Sequence, residues 1–202
     1  MLGKIAKRRK YATFSLRDAM QLIPSEQFIP WTPSEIARSP SETLLTNLRN
    51  LEAFDMKTSE AAKVLLMDLI FAEVVPSHPQ LKIWKEVILI TDTLTGVADY
   101  VIAPKRAYLE TPLLCVTEAK RDDFERGTAQ CVAEMVACQW HNRQENHRTD
   151  IFGIVSNGQD WRFYKLTEAN QTFESAIYPI TNLPELLGIL DAVCGECANF
   201  VP

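Results

Sequence analysis

Glycine is scarce in this chain: seven in 202 residues, none of them in a G-x-G-x-x-G run. That argues against a glycine-rich loop around nucleotide phosphates, and so against an enzyme acting on a small phosphorylated substrate. Histidine is scarcer still. His78, His141 and His147 are scattered along the sequence, so a histidine-based metal centre is not expected and all three are expected at the surface. The five cysteines are odd in number, which suits reduced thiols better than a disulfide framework. Cys194 and Cys197 form a C-x-x-C pair with no second pair to complete a structural zinc site, and Cys131 and Cys138 fall on one apolar helix face. All five read as small buried hydrophobes. No apolar run reaches the ~18 residues of a membrane span. The basic start "MLGKIAKRRK" has no apolar stretch behind it, so it is not expected to be a secretory signal and the expected compartment is the cytoplasm. Positive charge is lacking as well. A net charge of -5 gives no global attraction to nucleic acid, so such contact would need a local basic patch. Lys4 to Lys10 is one, although a solvated terminus is its plainer reading.

What is present is an ordinary globular composition, 47% hydrophobic and 23% charged, in a length that suits one domain. Prolines at 24, 30, 33 and 40 punctuate an irregular start, with short helices expected around "SLRDAM" and "PSEIA". "SPSETLLTNLRNLEAF" reads as a helix capped by Ser41, and "TSEAAKVLLMDLIFAEVV" as a second capped by Thr58 or Ser59. Three strands follow: "LKIWKEVILI", "GVADYVIAPK" and "TPLLCVTEAK", the last two close enough for a hairpin. A long helix, "DDFERGTAQCVAEMVACQWHNRQ", is expected to turn Phe124, Cys131, Val132, Met135 and Val136 inward. "DIFGIVSNGQDWRFYKL" has an Asn-Gly turn at Asn157–Gly158 between two strands, and "NLPELLGILDAVCGECANF" closes the chain as a helix. The order predicts an α/β sandwich: a central mixed sheet flanked by helices. The division expected is an irregular, helical N-terminal extension over 1–55 and a core over 56–202.

One stretch breaks the sheet pattern. The apolar run Leu113 to Val116 continues without a turn into Glu118, Ala119 and Lys120, although an unpaired buried charge is costly. With a side-chain period of two, Glu118 and Lys120 leave one face of the strand and Ala119 the other. A carboxylate there can ligate a hard divalent cation and an amine can position a water beside it. Asp99 interrupts the strand expected to pair with this one, so the two acids are expected to converge.

The pattern Asp99 … Glu118-Ala119-Lys120 resembles the PD-(D/E)XK nuclease superfamily, over about residues 58 to 170. "TSEAAKVLLMDLI" looks like that family's first core helix, with Glu60 as its metal-holding glutamate. "GTAQCVAEMVA" looks like the helix that carries a glutamine after the lysine strand, here Gln130. "DIFGIVSNGQDWRFYKL" is similar to the closing hairpin of the nuclease domain in type I restriction subunits. Ala98 stands where the family usually has proline. The resemblance implies a restriction endonuclease-like fold and a Mg²⁺-dependent endonuclease, with Mn²⁺ able to substitute, that hydrolyses phosphodiester bonds of nucleic acid, DNA expected. Asp99, Glu118, Glu60 and the Ala119 carbonyl would hold the metal. Lys120 would orient the attacking water and stabilise charge on the phosphate, and Gln130 would contact the water, the metal shell or the substrate. Lys105, Arg106, Arg121 and Arg126 are the flanking cations that could meet phosphates. A homodimer would be needed to cut both strands of a duplex together. The rival expectation is a non-catalytic interaction or nucleic-acid-binding module that keeps this fold, with Glu118 and Lys120 as a surface ion pair and Asp99 as a turn cap.

Overall fold

A computed structural model describes residues 8–24, 27–34, 36–56, 59–119 and 124–201, with the backbone alone for Glu60. Helices begin where short polar side chains can take orphan N–H groups. Ser15 Oγ accepts from Asp18 N at the start of α1 (Leu16–Met20). Ser41 Oγ accepts from Leu44 N (3.1 Å) for α2 (Glu42–Asn50), and Ser59 Oγ from Ala62 N (3.2 Å) for α3 (Glu60–Val74). The long α4 (Phe124–Gln144) and the closing α5 (Leu183–Asn199) complete the helices used below.

Among the described residues, eight strands join in one mixed sheet. They are β1 (Arg9–Lys10), β2 (Ile29–Pro30), β3 (Leu81–Ile90), β4 (Leu94–Pro104), β5 (Cys115–Ala119), β6 (Ile151–Ser156), β7 (Asp160–Leu166) and β8 (Thr172–Pro179). Their order is β1-β4-β5-β6-β7-β8-β2, with β3 along the other edge of β4. β5 and β6 run parallel with α4 as their crossover, while β3/β4, β4/β5, β6/β7 and β7/β8 are antiparallel. Alternation along the strands feeds two cores. One face, with Tyr100, Ile102, Cys115, Phe152, Ile154, Trp161 and Phe163, packs under α2, α3 and α5. The other, with Val101, Val116, Ile151, Val155, Tyr164 and Leu166, packs on α4 and α1. The molecule is thus a mixed β-sheet flanked by helices, an α/β sandwich with a helical region at its N-terminal end.

Described residues of the N-terminal region, up to Leu51, are woven into both cores. Tyr11, Phe14, Ala19 and Ile23 extend the α4 side, and Leu44 and Leu51 extend the α3 side. Tyr11 OH donates to the Leu89 carbonyl (2.7 Å), and its ring lies so close to Gly96 that a Cβ there would collide with Cδ2. Arg9 and Lys10, part of the basic start, pair with Leu94 and Thr95 as strand β1 while both residues stay exposed; residues 1–7 lie outside the described residues. The helix expected at "PSEIA" is absent from the described part of that stretch. The described residues there take no regular secondary structure and lie against α5, where Arg38 N donates to the Pro184 carbonyl (2.9 Å) and the Ile36 carbonyl fills the space a Cβ on Gly188 would need. Ten residues, 105–114, join β4 to β5, longer than a tight hairpin. No helix among the described residues is long and apolar enough to cross a membrane.

A break in the alternation positions everything that follows. On β4, Leu94 and Ala98 face the α4 side, yet Tyr100 and Ile102 face the α3 side. On β3, Leu81 and Ile83 face α3 while Val87 and Leu89 face α4. All within each strand are separated by even steps, so each strand turns over once, and the ladder skips the pair Glu86/Asp99 at that point. Glu86 sits there with φ 52, the left-handed region that a residue with a Cβ seldom occupies. The hairpin therefore exchanges its faces at Glu86 and Asp99.

Candidate active site where two strands part

β4 and β5 are paired over Tyr100↔Thr117, Val101↔Val116 and Ile102↔Cys115, and then separate. Carried one step further, the same register sets Asp99 opposite Glu118. There the backbone ladder is replaced by a side chain: Asp99 Oδ2 accepts the N–H of Ala119 at 2.8 Å. The last two residues of β5 stay paired on their other edge, Glu118↔Val155 and Ala119↔Ser156. The carboxylate can reach across because it belongs to the residue at which β4 turns over, and so is not committed to either packed face. An ionised acceptor makes this a strong hydrogen bond, and it anchors the end of β5 to β4.

Glu118 has the parity of Val116 and points to the α4 side, where it is 1% exposed. A buried carboxylate needs donors. α4 supplies one: Gln130 Nε2 donates to Glu118 Oε2 (2.8 Å) and also to Glu134 Oε1 (3.0 Å). Glu134 is one helical turn past Gln130 and fully buried. The bridging atom is the amide nitrogen, whose two N–H donors reach one oxygen of each carboxyl group. Gln130 Oε1 is left buried with no hydrogen-bond partner among the described residues. Sequence reading did not single out Glu134. The signal was available: a glutamate amid Val132, Ala133 and Met135, four residues from Gln130, is a helix-face charge that must find a partner.

Lys120 and Arg121 lie outside the described residues, as does the side chain of Glu60. The backbone of Glu60 opens α3, whose first turn sets Lys63 against Gly158 of the β6–β7 turn. That turn follows Ser156, the register partner of Ala119, so α3 begins at the same end of the sheet. Lys105 and Arg106 are exposed beyond the far end of β4, six positions and roughly 20 Å along the strand from Asp99. Arg126 is exposed on the first turn of α4, its Nη2 donating to the Ala12 carbonyl (3.4 Å). The cysteines are all buried free thiols; burial pushes the Cys194 thiol up to about 12, which keeps it protonated and inert. The histidines are half-buried rather than at the surface, and His78 Nε2 sits 3.1 Å from Asp191 Oδ1 on α5, far along the chain from these acids.

Asp99, Glu118 and the Gln130 carbonyl oxygen are hard oxygen donors, the chemistry that Mg²⁺ or Mn²⁺ prefers over nitrogen and sulfur. Among the described residues no group of three or more His, Cys, Asp or Glu is arranged to hold a metal. A cation here would rest on two carboxylates and complete its shell with water, which is how Mg²⁺ is usually bound. The orphaned, buried Gln130 Oε1 is an acceptor suited to such a water. These residues supply oxygen ligands of the kind the ion takes.

No protein-family model matches the chain and no curated protein matches its sequence, so the geometry at the parting of β4 and β5 carries the functional reading alone.

Proposed function

We propose that this protein is a Mg²⁺-dependent phosphodiesterase that hydrolyses nucleic acid, with DNA as the expected substrate and a restriction endonuclease-like fold as its scaffold. One observation supports the reading above the others: Asp99 Oδ2 takes the Ala119 N–H at 2.8 Å, which brings the lone acid of β4 to the acid-x-lysine stretch of β5. Asp99, Glu118, the Ala119 carbonyl and Glu60 would hold the ion. Bound Mg²⁺ supplies Lewis acidity toward the phosphate and lowers the pKa of a ligated water. Lys120 orients the attacking water and stabilises the charge that builds on the phosphate oxygens. Gln130 holds Glu118 in place. Among the flanking cations, Arg121 and Arg126 are nearest in the chain to this end of β5, whereas the distance along β4 sets Lys105 and Arg106 apart from it.

A specific observation favours the rival reading, a non-catalytic module keeping the fold: Glu118 is almost fully buried and already hydrogen-bonded, as a purely structural acid would be. A cleavage assay decides between them. Supercoiled, linear, single-stranded and branched DNA, and RNA, are incubated with Mg²⁺ or Mn²⁺ and the parent, Asp99→Ala or Lys120→Ala protein, purified identically. Cleavage by the parent alone is expected. Activity that survives both substitutions, or none from the parent with either ion, refutes the assignment.

A further inference from the structure

Resting on that reading, we propose that Glu134 is a positioning residue of the Asp99–Glu118 site, acting through the amide of Gln130. Gln130 Nε2 has two protons, and both are spoken for: one goes to Glu118 Oε2 at 2.8 Å, the other to Glu134 Oε1 at 3.0 Å. Without Glu134 the amide could turn over, placing Oε1 against the Glu118 carboxylate and Nε2 away from it. With Glu134 in place, a turned amide would give up both N–H donations and set its oxygen against carboxyl oxygens on two sides, which favours the orientation seen. Two consequences follow. Glu118 keeps a donor that fixes its rotamer. Gln130, a residue 7% exposed, keeps its buried Oε1 without a partner among the described residues, an acceptor for a water of a bound cation's shell.

Burial gives the device its force. Glu118 is 1% and Glu134 0% exposed, so bulk water cannot replace either hydrogen bond, and carboxylates this close to one nitrogen repel each other unless a donor or cation lies near them. Gln130 supplies the donor on one side. Glu134 thus does for Gln130 what an outer-shell partner does for a metal-ligating side chain: it selects one orientation of a group that otherwise has two.

The test uses Glu134→Met and Glu134→Gln in the full chain, with Mn²⁺ affinity measured by calorimetry, cleavage kinetics at saturating Mn²⁺, and thermal melting. Methionine fills the volume but accepts no hydrogen bond from the amide. Glutamine keeps a carbonyl oxygen that does. Glu134→Met is expected to weaken Mn²⁺ binding by about tenfold and to lower kcat by a similar factor with KM for DNA unchanged. Glu134→Gln is expected to recover both to within about threefold of the parent. A merely structural role would lower the melting temperature and leave Mn²⁺ affinity and the kcat-against-KM split alone. If Glu134→Met does not fold, Gln130→Met removes the shared donor instead and is expected to give the same loss. Parent-like Mn²⁺ binding by the methionine variants, or a glutamine variant as weak as they are, overturns the inference. Absence of Mn²⁺ binding by the parent overturns it too. If the parent binds Mn²⁺ in a Glu134-dependent way yet cuts no substrate, the positioning role stands and the nuclease reading fails.

Discussion

Asp99 has two separable duties in the structure, and substitution at this one position can pull them apart. As an anchor it accepts the Ala119 N–H at 2.8 Å; as a ligand it would lend its charge to a cation. Asp99→Asn retains an oxygen for the N–H and loses the charge. Asp99→Ala loses both and leaves a half-buried backbone donor without its acceptor. A hydrogen bond to a charged group contributes roughly 1.5–3 kcal/mol and a neutral one about 1 kcal/mol, so the alanine variant is expected to lose about 2 kcal/mol and the asparagine variant about 1 kcal/mol. For a domain of this size, 2 kcal/mol corresponds to a fall of about 4–8 °C in Tm. Activity should divide differently. Both variants lack the ligating carboxylate, and both are expected to fall in kcat by more than the roughly 10–100-fold that an outer-shell change costs. The assay pairs thermal melting with single-turnover cleavage of labelled duplex at saturating Mn²⁺. An asparagine variant that cuts at the parent rate would refute the ligand role. An alanine variant that melts with the parent would refute the anchor.

Three further outcomes check the fold around the site. Gly153 on β6 faces α4, and a Cβ there would lie 2.5 Å from Met135 Sδ and 2.7 Å from Cys131 Sγ; Gly153→Ala is expected to cost roughly 1–3 kcal/mol in urea denaturation, partly recovered when Cys131→Ala is added. Glu86 holds φ 52, so Glu86→Gly removes a left-handed strain of roughly 1–2 kcal/mol at an entropic cost of about 0.5–1 kcal/mol, for a small net rise in Tm. Burial lowers the pKa of His141 below its ordinary 6.5, against the opposing pull of a hydrogen bond to the Ile90 backbone. The unfolded chain therefore takes up a proton first as pH falls, so this contribution is whole above about 6.5 and is lost on acidification toward the folded-state pKa. Urea midpoints of the parent are expected to drop more between pH 7.5 and 5 than those of His141→Gln, and equal drops would refute it.

Local signals in the sequence carried much of this architecture, because they depend on few residues. The alternation and β-branching of Leu81 to Ile90 mark β3 over its full length, and Ser41 and Ser59 mark helix starts because a side-chain oxygen must meet orphan N–H groups wherever a helix begins. Asn157–Gly158 turns the chain because glycine tolerates its φ of 91 there. Polarity at Asp99 and Glu118, set within otherwise apolar strands, was enough to nominate them, whereas Gln130 entered only through the resemblance to a nuclease helix. Elements that exist only by pairing were not legible. β1 and β2 are two residues long and become strands by lying against β4 and β8. Thr172–Pro179, with Glu174 and Ser175 inside it, is a strand because β7 offers it an edge. Near Pro33 the described residues take no helix and instead lie against α5, where Gly188 lets a backbone approach that any side chain would block. Tertiary structure alone decided where β4 and β5 part, that β3 and β4 exchange faces at Glu86 and Asp99, and that Glu134 joins Gln130 and Glu118. Periodicity says which way a side chain leaves its own element, but only the packing of one element on another determines which polar groups must share a buried space and satisfy one another there.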